Sequence, residues 1–177
     1  ATAPSIASLS LWLGAPLFPN TVFKDVTLKG QMLWSGGTIT VDKAVMGIDG
    51  QEPATGTLVI SRAERAPAID ATLAFNGFDV GPYVLSQRAG ATGEVSLSDM
   101  LQGVSFNVPF AGQLKADLRV SAARVTLGGL ALGKGAASIQ VTDGKVVTDV
   151  AEIEHPGGRS TIHLSLEATG GASKVAM

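Results

Sequence analysis

The chain has 177 residues and a formal net charge of −2; 45% of its residues are hydrophobic, 16% are charged and none is cysteine. So apolar a composition excludes a disordered chain, and the singly scattered Lys and Arg residues leave no basic patch for nucleic acid. Without cysteine the chain can form no disulfide, thiolate zinc site or cysteine nucleophile.

The most apolar stretch, Ile6–Phe18, is shorter than the roughly 18 residues that cross a bilayer, and two serines and a proline interrupt it. The length fits a single β-rich region that covers residues 1–177. The sequence begins at Ala1 without a methionine or a signal-peptide pattern, which fits either a processed protein or an excised fragment. Of the two, we expect a soluble fragment of a longer chain.

In the first half of the chain, apolar and polar residues alternate with period two, which is typical of half-buried β-strands. The alternation predicts strands over Thr38–Val41, Thr57–Ser61 and Ala68–Phe75. The third of these segments sets four residues on one face: Ile69, Ala71, Leu73 and Phe75.

The middle of the chain has a weaker pattern. Phe78–Arg88 predicts a helical turn that Gly81 and Pro82 keep short, and Ser96–Gly103 predicts one or two helical turns. Val104–Phe110 alternates, but its proline cannot donate to a strand ladder, so we expect an edge strand or the lead-in to the next strand.

The second half alternates over longer runs, of which Gly112–Gly129 and Ser160–Ala168 are the clearest. Between them, Asp143 and Gly144 form the residue pair that favours a tight type I′ hairpin. The apolar parity contains Leu114, Leu118 and Val120 in the first run and Ile162, Leu164 and Leu166 in the second.

These patterns predict an all-β protein of about ten or more strands, given the usual strand length. Two architectures satisfy the alternation. One is an extended, curved and largely antiparallel sheet; the other is a two-sheet sandwich or groove. In both, we expect one or two short helical turns.

Few side chains offer catalytic or metal-binding chemistry. Asp149, Glu152 and Glu154 precede His155, and oxygen and imidazole ligands suit calcium or zinc. Regular alternation, however, places Asp149 on the opposite face from both glutamates, so we expect a solvated surface. His163 lies on the polar parity of its strand, where it is expected to be solvated or paired across strands.

The sequence lacks two common motifs, one for a serine nucleophile and one for a phosphate-binding loop. No serine lies in a G-x-S-x-G elbow, and the glycine-rich segment Gly128–Ala136 has Gly135 after Lys134, where a phosphate loop needs Ser or Thr. We therefore predict a protein with no catalytic residue, no metal site and no cofactor, which is not an enzyme.

The tryptophans Trp12 and Trp34 each lie in an apolar run. A tryptophan with its apolar body and single polar N–H can anchor at a lipid headgroup interface, or it can complete a core. We expect both to be core residues.

The order of segments from Leu114 to Ala168 is distinctive. A D-L-R-x-S-A strand (Asp117–Ala122) leads to V-T-L-G-G (Val125–Gly129), a Gly-Lys linker and a strand that ends at Asp143-Gly144. A further strand and one opened by Gly157-Gly158 follow. This succession resembles the C-terminal region of the AsmA family, and the upstream segments "GGTITVDKAVMGIDG" and "PAIDATLAFNGFDVGPYV" are similar to the body of that family.

The resemblance implies a periplasmic protein of a Gram-negative envelope, related to bridge-like lipid transfer proteins. Members usually begin with a transmembrane helix that anchors them to the inner membrane, and no such helix is evident in this sequence. The fold implied is an elongated, curved β-sheet groove with a hydrophobic inside. The function implied is phospholipid transport in outer-membrane lipid homeostasis.

Acyl chains have no hydrogen-bonding groups, so a protein that carries them needs only a continuous dry surface. Period-two alternation provides such a surface, because every second side chain of each strand faces the same side. We therefore predict a module that binds or conducts phospholipid. The alternative is a structural or assembly domain with a filled core that binds envelope proteins through an exposed edge strand. The residues predicted to line the lipid-binding face are Ile69, Leu73, Phe75, Leu114, Leu118, Val120, Ile162, Leu164 and Leu166.

Overall fold

A computed structural model describes residues 25–62, 66–84, 114–127, 129–155, 158–169 and 172–176. Apart from one helical turn at Gly81–Val84, these residues form strands and the turns between them. The strands are β1 (Val26–Ser35), β2 (Thr38–Ile48), β3 (Ala54–Arg62), β4 (Pro67–Phe75), β5 (Phe78–Asp79), β6 (Lys115–Leu127), β7 (Leu130–Thr142), β8 (Lys145–His155), β9 (Gly158–Thr169) and β10 (Ala172–Ala176).

All ten strands of the described residues belong to one curved, unclosed sheet. Its order is β1-β2-β3-β4-β6-β7-β8-β9-β10, and β5 pairs with β6 beyond the end of β4. Neighbouring strands are antiparallel except that β4 and β5 both run parallel to β6. The sheet is therefore two antiparallel meanders, β1–β4 and β6–β10, joined by a parallel pair.

This architecture confirms the predicted all-β fold, and in the described part of the chain it takes the first of the two expected forms, a curved, unclosed sheet. The predicted strand Ala68–Phe75 lies within β4, and the helical turn expected in Phe78–Arg88 is present at Gly81–Val84. The predictions for Ile6–Phe18, Ser96–Gly103 and Val104–Phe110 lie outside the described residues.

Two tight hairpin turns explain how the long strands reverse. Asp143 and Gly144 have φ of 49° and 84°, and Gly36 and Gly37 have φ of 56° and 80°. Positive φ at both central residues is the signature of a type I′ turn, whose twist matches that of the flanking strands. The hairpin predicted at Asp143-Gly144 is confirmed.

The sheet curves because several strands carry an irregularity in mid-strand. In β2 the extra residue Lys43 adopts a left-handed φ of 49°, and in β7 Gly133 has a φ of 73°. Each bulge adds an unpaired residue, bends its strand and increases the local twist. Two further bulges are shown by register shifts, one between Ala122 and Val125 in β6 and one between Val150 and Ile153 in β8.

The core is formed by hydrophobic side chains, and no polar or charged residue of the described ranges is buried. Val41 and Ile60 are the largest fully buried side chains, each 1% exposed. The other core residues are Ala44, Ile48, Ala54, Leu58, Ala71, Leu73, Phe75, Leu114, Ala122, Val125, Leu132, Val141 and Val146.

Candidate functional site

One face of the sheet is apolar across its whole width. Residues directly opposite each other on neighbouring strands lie on the same face, so the register defines rows that run across the strands. The longest row passes through nine strands: Trp34, Ile39, Ile60, Ile69, Ala116, Val141, Val146, Leu166 and Val175.

Two more rows lie beside it on the same face. Apart from Thr148 and Gly56, every position in them is apolar, and we call the three rows together the apolar face. The second row is Met32, Val41, Leu58, Ala71, Leu118, Ile139, Thr148 and Leu164, and the third is Ala44, Gly56, Leu73, Val120, Ala137, Val150 and Ile162.

The other face of the sheet, here the polar face, carries most of the charge. Asp117 and Arg119 are two residues apart on β6 and form an ion pair with an N–O distance of 3.7 Å. One complete row shows the composition: Thr57, Thr72, Arg119, Ser138, Asp149 and His163. The two faces therefore differ in polarity from β3 to β9.

The nine residues predicted to bind lipid fall on the apolar side of the sheet. Seven of them occupy positions in the three rows; Phe75 follows the same parity at the end of β4, and Leu114 does so just before β6. Leu73, Phe75 and Leu114 are buried core residues, whereas Ile69, Leu118, Val120 and Ile162 are only half-buried. Their contact with lipid stays a prediction.

Burial changes along the apolar face. Across β2 and β3, Val41, Ala44 and Leu58 are at most 5% exposed. Across β6 to β8, Val120 and Val150 are both half-buried although they lie in the same rows. In the second and third rows, the positions on β6 to β8 are therefore more accessible to a ligand than those on β2 and β3. The first row differs, because Val141 and Val146 are buried, and at the β1 edge Met32 and Trp34 are exposed.

The carboxylates of β8 lie differently from the prediction. Asp149 is opposite Ser138, and Glu152 is opposite Ala136, so both lie on the polar face. The expectation that Asp149 and Glu152 point to opposite faces was wrong, because the bulge after Val150 inserts one residue and inverts the parity of the strand beyond it.

These acidic residues have basic side chains as partners. Glu152 forms an ion pair of 2.8 Å with Arg159, and the Asp149 carboxylate pairs with Nδ1 of His163 directly across the strands. The cross-strand pairing expected for His163 is confirmed. Among the described residues no group of three or more His, Asp or Glu side chains could hold a metal ion.

The apolar residues at the end of β1 are exposed. Trp34 is 70% exposed, Leu33 65% and Met32 50%. The prediction that Trp34 is a core residue was wrong, because in the described part of the chain β1 has a strand on one side only. Trp12 lies outside the described residues.

One polar arrangement joins the β2–β3 turn to β5 and β6, and we call its residues Gln51, Glu52, Asp79 and Arg124 the latch. The Gln51 amide donates to the Asp79 carbonyl oxygen at 2.7 Å and accepts from the Asp79 backbone N–H at 2.9 Å. Arg124 Nη2 donates to Glu52 Oε1 at 3.0 Å. The partners are 28 and 72 residues apart, so no local pattern in the sequence indicated the latch.

No protein-family model, curated protein or solved structure matches the chain. The similarity to the AsmA family is therefore carried by the sequence motifs alone and remains a prediction. Within the residues that the structure describes, no helix is long and apolar enough to cross a membrane.

Proposed function

We propose that this chain is a non-enzymatic module that binds or conducts phospholipid acyl chains along its apolar face. The observation that carries the proposal is the continuity of that face through nine strands of a curved, unclosed sheet. Nine strands about 4.8 Å apart give a surface roughly 38 Å long. One leaflet of bilayer hydrocarbon is about 15 Å thick, so the face is longer than one acyl chain.

The chemistry of the lining supports an acyl ligand. Buried polar groups need partners, so a ligand with hydrogen-bonding groups would need matching polar groups on the surface that it contacts. In the three rows, Thr148 is the one described position with a polar side chain. The accessible positions, such as Leu118 and Val150, offer dispersion contacts and a dry surface.

The AsmA resemblance extends the proposal to a place in the cell. In the full-length protein, the module would be periplasmic, anchored to the inner membrane by a separate transmembrane segment, and would serve outer-membrane lipid homeostasis. The support for this part is the ordered motifs between Leu114 and Ala168.

The experiment is native mass spectrometry with lipid extraction on the chain purified from a Gram-negative host without harsh detergent. Val150→Asp places a charge on the apolar face and is expected to remove bound phospholipid. Val147→Asp is the matched control, because Val147 is the same residue type in the same strand, is also half-buried, and lies on the polar face. An apo mass for the wild type, or equal lipid retention in both variants with their circular dichroism unchanged, contradicts the proposal.

A second candidate function is a structural domain that binds an envelope protein at the β1 edge. The exposed apolar side chains of Met32, Leu33 and Trp34 favour it, since an exposed apolar edge strand is a template for strand addition. In the same mass spectra this function predicts an added protein mass in place of lipid. A lysine protects an edge strand, so Leu33→Lys is expected to remove that added mass and to leave any lipid signal unchanged.

A further inference from the structure

The short strand β5 lies near the junction of the two meanders. It has two residues, Phe78 and Asp79, and in the described chain it pairs with β6 alone. One further backbone hydrogen bond follows it, from Val80 N–H to the Thr126 carbonyl oxygen at 2.8 Å. So short a pairing contributes little by itself, since stability against local opening depends on packing and hydrogen bonds.

The latch binds β5 through the backbone of Asp79. The Gln51 carboxamide has a donor and an acceptor side by side, and it satisfies both backbone groups of Asp79 in the way a neighbouring strand would. Both hydrogen bonds are partly buried. The Asp79 carboxylate also accepts from the Gly81 N–H at 2.9 Å, which fixes the chain where it leaves the sheet.

Gly77 has no side chain, and the ion pair of the latch lies in the space that a side chain at this position would fill. A Cβ atom at Gly77 would be 2.9 Å from Arg124 Nη2 and 3.3 Å from the Glu52 carboxyl carbon. The Arg124 and Glu52 side chains therefore meet over bare backbone between β4 and β5. This ion pair joins residues of the two meanders, whereas the Glu152–Arg159 pair joins neighbouring strands of one meander.

Release of β5 would uncover apolar surface at the end of the apolar face. The rings of Phe75 and Phe78 have centroids 4.8 Å apart, and Phe78 and Val80 pack against the core. We propose that the latch is a conformational gate: closed, it holds β5 on β6, and released, it opens the end of the face to an acyl chain. The ligand part of this inference rests on the proposed function; the opening of β5 does not.

Hydrogen exchange with mass spectrometry tests the opening. In Gln51→Ala combined with Arg124→Ala, the amides of Asp79 and Val80 are expected to exchange at least about tenfold faster, since two partly buried hydrogen bonds are lost. The β2–β3 and β6–β7 ladders are expected to keep their wild-type rates. Arg159→Ala, which removes a comparable ion pair elsewhere, is expected to leave the β5 amides unchanged. Wild-type rates at Asp79 and Val80 in the double variant overturn the inference.

A second measurement remains informative if the double variant unfolds. Because the chain has no cysteine, Glu52→Cys with Arg124→Cys can be bridged specifically by a short bis-maleimide. Capping the same two thiols with N-ethylmaleimide is the matched open form. The bridged protein is expected to take up a fluorescent fatty acid, cis-parinaric acid, at least several-fold more slowly than the capped protein.

The outcomes separate the two proposals. Equal uptake rates in the bridged and capped proteins overturn the gate while leaving acyl binding intact. No uptake by any form, the wild type included, refutes the proposed function, and the exchange rates of Asp79 and Val80 then still decide whether the latch holds β5.

Discussion

A single methyl group at Gly56 is expected to disrupt the first meander. Gly56 lies on the apolar face of β3, opposite Leu73 of β4. A Cβ atom there would be 1.8 Å from the Thr72 carbonyl oxygen, 2.9 Å from the Thr72 carbonyl carbon and 3.2 Å from the Leu73 Cα. All three are backbone atoms of the paired strand, so no side-chain rotation relieves the overlap, and the two strands must move apart.

The loss of stability is large because the backbone atoms around Gly56 cannot move aside easily. Overpacking a core by one methyl group costs about 1–3 kcal/mol, occasionally more, when side chains can adjust. At Gly56 the obstacle is a ladder of backbone hydrogen bonds, so Gly56→Ala is expected to lower the free energy of unfolding by about 3 kcal/mol or more. Urea denaturation followed by circular dichroism measures this change, with the m-value showing whether the unfolding remains two-state.

Gly47→Ala is the matched control. A Cβ atom at Gly47 would meet the Thr27 Oγ1 at 2.7 Å, but this atom is the end of an exposed side chain that can rotate away. The expected change in unfolding free energy is within about 1 kcal/mol, since a strand alanine also restricts the unfolded chain. A loss of stability at Gly56→Ala no larger than that at Gly47→Ala would refute the reasoning, and with it the close approach of β3 and β4.

Three further outcomes are expected. Ile60→Ala, at a side chain that is 1% exposed, is expected to cost about 2–5 kcal/mol in urea denaturation, and a cost under 1 kcal/mol would contradict its place in the core. In a Trp12→Phe background, the fluorescence of Trp34 is expected to be strongly quenched by acrylamide, because 70% of the residue is exposed; protection from the quencher would show that it is covered. His163→Asn breaks a surface pair with Asp149 and is expected to change stability by less than about 1 kcal/mol at neutral pH, so a larger loss would contradict the exposed geometry.

The all-β fold and the strand faces could be predicted from period-two alternation, because each side chain of a regular strand reports its face directly. The positive φ of Asp143 and Gly144 was predictable for a similar reason, since the conformational preference is local to the two residues. Alternation also predicted that Leu118 and Ile162 lie on the same face of the sheet, and this prediction did not require the strand order.

The bulges and the latch could not be predicted. Lys43 adopts a left-handed φ although lysine has no preference for it, so the tertiary packing of β1–β3 imposes the bulge. The bulge in β8 moved Glu152 to the opposite face of the sheet from the one that regular alternation gives. The period-two pattern therefore predicted the strand correctly but the face of this residue wrongly. Gln51 and Arg124 find partners far away in the sequence, and such pairs follow from the strand order, which alternation does not contain.

The parallel pairing of β4 with β6 has a consequence for the order of folding. The antiparallel neighbours within each meander follow one another in the chain and are mostly joined by short turns, so their contacts close small loops. The β4–β6 pair must instead bring together Phe75 and Ala122, with the whole intervening chain as the loop, and contacts of high sequence separation form slowly. We therefore expect refolding in two kinetic phases. In the fast phase each meander forms on its own, and in the slow phase β4 pairs with β6.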